Sequence, residues 1–111
     1  MAYTNETKLL RFNKLYSAQA GATKATDGTV ALAMNESNDE KYLFVVTVST
    51  AGTVTVKGNG RANDLELGTT SAGTYYIALD SMNYKNLTGT DKGKVVFAGT
   101  FVGTVTAIVL P

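Results

Sequence analysis

The chain has 111 residues, ten basic and nine acidic side chains, and a formal net charge of +1. That length suits one domain, and the absence of Cys, His and Trp removes disulfides, thiolate nucleophiles, Cys-ligated zinc and the usual neutral-pH general base. The near-neutral balance argues against a binder built on phosphate contacts and against a polybasic membrane module.

Charged residues make up only 17% of the chain, against about 25% in an ordinary soluble domain. Their place is taken by 17 Thr, 11 Gly and 8 Asn. Thr suits the solvent face of a strand, while Gly and Asn suit the turns between strands. An apolar content of 44% separates the chain from disordered sequences. Leu9-Leu10 is boxed in by Lys8 and Arg11, so no apolar core of an export signal is expected, and no run reaches spanning length.

Residues 1–25 form a basic arm in which Lys8, Arg11, Lys14 and Lys24 face only Glu6. Leu9, Phe12 and Leu15/Tyr16 recur at helical spacing, which predicts one short amphipathic helix within residues 5–20. The small residues Ser17 to Ala22 read as a linker. Such an arm either packs along its own domain or reaches a neighbouring subunit.

From residue 26 to 111 the pattern is strand, turn, strand. Thr29–Met34 alternates, Asn35–Glu40 is a polar loop, and Lys41–Thr50 is apolar on both faces in its first half, as in a central strand. Ala51-Gly52 followed by Thr53–Lys57 predicts a hairpin. Asp64–Leu67 is a weaker strand, and Thr74–Leu79 places Tyr75, Ile77 and Leu79 on one face. Met82–Leu87 reads as a short strand or corner, followed by Lys94–Ala98 and Thr104–Leu110. About eight short strands with turn signals every 8–12 residues predict a single antiparallel β-sandwich of jelly-roll or immunoglobulin-like type. Parity puts Val46, Val48, Val54, Val56, Tyr75, Ile77, Leu79, Val95, Phe97, Val105, Ala107 and Val109 in the core.

No catalytic set emerges. The acid pairs Asp39/Glu40 and Asp64/Glu66, with Asp80, read as solvated charges rather than as a glycosidase pair. The oxygens of Asn35–Glu40 lack the spacing of a calcium loop. Gly58-Asn59-Gly60 lacks the following helix of a phosphate cradle. Tyr76 and Tyr84 are the tyrosines placed for an exposed aromatic platform that could take sugars. No enzyme activity, cofactor or metal is therefore expected.

Four stretches carry a family resemblance. They are Met1-Ala2-Tyr3-Thr4-Asn5, the segment Val54 to Gly60, the turn region Tyr84 to Val95, and the ending Val105 to Pro111. Together they resemble the small all-β head-decoration (capsid cement) proteins of tailed bacteriophages. The resemblance implies a virion protein, assembled in the host cytoplasm, that binds the major capsid protein on the outside of the shell, often as a homotrimer, and reinforces it. The beginning Leu9-Leu10-Arg11-Phe12-Asn13-Lys14 departs from the more usual Ala/Pro-rich start. On composition, Lys8, Leu9, Arg11, Phe12, Lys14 and Tyr16 are the expected partner-binding residues, with apolar anchors rimmed by cations. The alternative is an immunoglobulin-like or carbohydrate-binding module of a phage tail or surface protein.

Overall fold

The computed structural model describes residues 7–15, 21–34, 41–79 and 81–110. Nine strands and one short helix lie within them: β1 (Thr7–Leu9), β2 (Ala22–Lys24), β3 (Val30–Ala33), β4 (Tyr42–Thr50), β5 (Gly52–Val56), β6 (Leu65–Thr70), β7 (Gly73–Ile77), α1 (Ser81–Tyr84), β8 (Lys94–Ala98) and β9 (Val102–Val109). One sheet has the order β1-β9-β4-β7, with β2 also paired to β9; the other has the order β3-β8-β5-β6. The expected all-β, two-layer architecture is met.

Alternation drives the packing. In β4, Tyr42, Phe44, Val46 and Val48 are buried, and in β9 so are Val105, Ala107 and Val109. They meet Val30, Leu32, Val54, Val56, Val95 and Phe97 of the other sheet in one core cluster. The Phe44 and Phe97 rings sit 5.5 Å apart at 52° across the interface, within the separation favoured by tilted aromatic pairs. On the outer face of the larger sheet Leu43 lies opposite Ile108, both half-buried.

Strands joined by the shortest turns do not pair with one another. Ala51-Gly52 carries the chain from β4 in one sheet to β5 in the other, and Ser71-Ala72 carries it back from β6 to β7. The predicted hairpin is therefore a corner. Gly52 runs so close to the Thr100–Phe101 backbone that a Cβ there has no room. The corner is locked reciprocally: Thr53 N–H donates to Thr100 Oγ1 (2.9 Å) and Thr100 N–H to Thr53 Oγ1 (3.0 Å).

Two further expectations are corrected. The described part of the arm is not helical: Thr7, Lys8 and Leu9 pair in parallel with Ala107, Ile108 and Val109, and a turn follows at Phe12-Asn13. Asn13 takes a left-handed φ of 60°, a conformation that ends regular structure and that Asn tolerates better than most residues. Backbone groups on the free edge of β9 outweigh the helical spacing of three apolar side chains. The helix instead falls at Ser81–Tyr84, where a strand or corner was expected. Asn59 fixes it, donating from Nδ2 to the carbonyls of Met82 and Lys85 (2.8 Å each) while its own N–H reaches Asn83 O (2.9 Å).

Candidate interaction surfaces

The amino-terminal segment is anchored and then released. β1 lies along residues 107–109 of β9 and β2 along residues 103–105, so together they cover one edge of that strand. Leu10 N–H donates to Val109 O at 2.8 Å. Beyond it Arg11, Phe12, Asn13, Lys14 and Leu15 are all exposed, Phe12 at 75% and Leu15 completely. Among the expected partner-binding residues the structure thus brings Arg11, Phe12 and Lys14 onto one exposed turn. Lys8 and Leu9 lie in β1, where only the backbone is described, and Tyr16 lies outside the described residues.

A second surface opens where the sheets part. β6 ends one sheet and β7 ends the other, on the same side of the sandwich. Between them lies a groove of about 200 Å³ floored by Val46 and Val54 and walled by Leu67, Thr70, Tyr75 and Ile77. Tyr75 has core parity but is 37% exposed, because neither sheet continues past this edge to cover it. Its hydroxyl donates to Ser71 O at 2.7 Å. Ile77 and Leu79 are partly buried against the core, while nine of the twelve expected core residues are buried. Tyr76 points outward from its place opposite Val45 and is 70% exposed; Tyr84, expected outside, packs against the core.

Lys24, in sequence one more cation of the arm, is completely buried. Its Nζ donates to the carbonyls of Gly99 (2.6 Å), Ala25 (2.8 Å) and Phe101 (3.0 Å) and lies 4.6 Å from the centre of the Phe101 ring. Burial lowers its pKa, and the Asp27 carboxylate offsets part of that shift. The alternation of β2 is the signal that could have found it: Ala22 and Lys24 share the inward parity. With its three short contacts aimed at backbone carbonyls, this ammonium ties β2 to the β8–β9 corner.

The acidic candidates resolve into structure. Asp64 accepts from Lys57 Nζ at 2.7 Å and from Gly58 N–H at 2.9 Å, and these bonds hold its pKa below the ordinary carboxylate value. Glu66 lies on β6 opposite Thr55; Asp39, Glu40 and Asp80 fall outside the described residues. The Lys57–Asp64 contact stabilises the fold above the unfolded-state pKa of Asp64, and that gain is lost as pH falls through the lowered folded value. Asp64→Asn is expected to lower Tm slightly near neutrality, as loss of an exposed pair does, and to converge with the parent in acid, so that its acid limb is flatter. An acid limb identical to the parent's counts against this pairing. Among the described residues no group of three or more Asp, Glu, His or Cys is placed to hold a metal, and no helix is long and apolar enough to cross a membrane.

Comparison with family models, curated proteins and solved structures finds no match for this chain.

Proposed function

We propose that the protein is a structural attachment module that decorates the outer surface of a tailed-phage capsid and reinforces it through the major capsid protein. The observation that carries this reading is the exposed turn after β1. Phe12 stands in solvent between Arg11 and Lys14, and Leu15 follows Lys14, on a segment fixed to the sheet by the pairing of β1 with β9. Apolar anchors flanked by cations are the composition of an interface centre and its rim. A role of this kind draws on binding energy rather than turnover. The carbohydrate-binding alternative is less well served by the groove beside Tyr76. Its walls offer few polar groups for sugar hydroxyls, and the Tyr75 hydroxyl is already bonded to Ser71.

The test is a double substitution, Phe12→Ser with Leu15→Ser. Both side chains are exposed, so stability is expected to stay within about 0.5 kcal/mol of the parent. Co-sedimentation with capsid particles stripped of the protein is expected to fall at least about tenfold, roughly 1.4 kcal/mol of binding. A folded double variant that binds particles with unchanged affinity overturns the reading.

A further inference from the structure

β7 is an open edge of an unusual kind. Its inner edge pairs with β4 from Phe44 to Val48, and among the described residues its outer edge pairs with nothing. Soluble proteins protect such edges with Lys, Pro, a bulge or a covering loop, because a row of unpaired N–H and C=O groups recruits another strand. Here that protection is missing. No residue from Leu67 to Leu79 is charged and none is Pro, and the register with β4 runs without a bulge across all five residues. Large apolar side chains crowd the same edge, with Tyr76 70%, Leu67 41% and Tyr75 37% exposed.

We propose that β7 is a self-pairing edge, and that two copies of this chain join antiparallel along Gly73–Ile77 to form one continuous sheet. The occupant is a second copy because of the charge pattern. A two-fold strand contact brings each charge near the axis close to its own copy, which costs free energy when the edge carries one sign of charge; this edge carries none. A strongly charged partner would meet no complement there. Pairing about a two-fold axis through Tyr75 sets Tyr76 of each copy against Thr74 of the other on the outer face. It also brings both grooves together beneath the joint, so Tyr75 and Leu67 of each copy help cover the other's. A stable pair needs roughly 800 Å² per copy, about an eighth of the 6390 Å² surface. The strand edge contributes its backbone groups together with the exposed parts of Tyr75, Tyr76 and Leu67.

The pairing closes at two chains, since a two-fold contact uses the same patch on both partners; three chains is the number implied by the decoration-protein resemblance. It concerns the free protein and stands whether or not the chain binds a capsid. The experiment is sedimentation equilibrium of the full chain up to about 100 μM, a range that covers pairs of ordinary strength. Two charge variants accompany it, Thr74→Lys/Tyr76→Lys and Thr74→Glu/Tyr76→Glu. Both positions are exposed and lie on the outer face, and a far-UV spectrum checks each fold.

The parent is expected as a dimer, each double variant is expected to weaken self-association at least about tenfold, and an equimolar mixture of the two double variants is expected to restore the dimer. A parent that stays monomeric, a parent that forms trimers, or a dimer indifferent to the charges overturns the proposal. So does a mixture that fails to re-form dimers.

Discussion

Phe97→Ala is expected to destabilise the protein by about 3–5 kcal/mol, the range for truncating a fully buried aromatic side chain. Phe97 is fully buried in β8, opposite Val30 on one side and Val56 on the other. Its ring also faces Phe44 across the two sheets. Removing it leaves a cavity bounded on all these sides by strands whose spacing is set by backbone hydrogen bonds, so the walls cannot collapse inward. For a chain of this length the change corresponds to a Tm lower by roughly 12–25 °C. Thermal unfolding followed by circular dichroism measures it. A loss below about 1 kcal/mol would mean that the site repacks, against the rigidity argued for the two sheets.

Lys24→Met is expected to cost about 2–4 kcal/mol, although it replaces a buried charge with an apolar chain of similar length. The reason lies in the acceptors. Without the ammonium, the carbonyls of Ala25, Gly99 and Phe101 lose a short donor in a place where water has poor access. The thioether restores the contact over the Phe101 ring but donates nothing. A pH signature accompanies the loss. Because the folded pKa of Lys24 is lowered, the unfolded chain holds the proton more tightly, so parental stability gains from this group as pH rises from that lowered value towards the ordinary lysine value. In Lys24→Met that gain is expected to vanish, and urea titrations of both proteins across the alkaline range measure it. A variant as stable as its parent would mean that the carbonyls find other donors.

The positions and buried faces of β4, β5, β8 and β9 were legible because period-two alternation reports directly which side of a strand is buried, whereas β1 and β2 carry too few residues to show it. Sheet membership was not. Ala51-Gly52 announces a reversal, but the same residues serve a hairpin and a corner; the difference is the Thr53–Thr100 clasp, whose partners are 47 residues apart. Leu9, Phe12 and Leu15 mimic a helix because three side chains are too few to report a period when an unpaired strand edge competes for the backbone. Lys24 looked solvated because a buried cation is disclosed only by its acceptors, and those are backbone carbonyls that carry no mark in a sequence. Phe12, which the structure leaves exposed, was singled out on composition alone, whereas the β6–β7 groove depends on where two sheets stop.

The place of β9 in the middle of its sheet has a kinetic consequence. β4, β1 and β2 all pair with residues 102–109, so within the larger sheet only β4 and β7 can associate before those residues join. Closing that sheet means bringing residue 7 to residue 107 and residue 22 to residue 105, loops whose entropy must be lost before the contacts they permit return anything. Docking of residues 102–109 is therefore expected to limit folding, on the millisecond-to-second timescale of sandwiches rich in distant pairings. Until it happens, both long edges of β4–β7 remain bare, and crowding at that stage favours aggregation over the native fold.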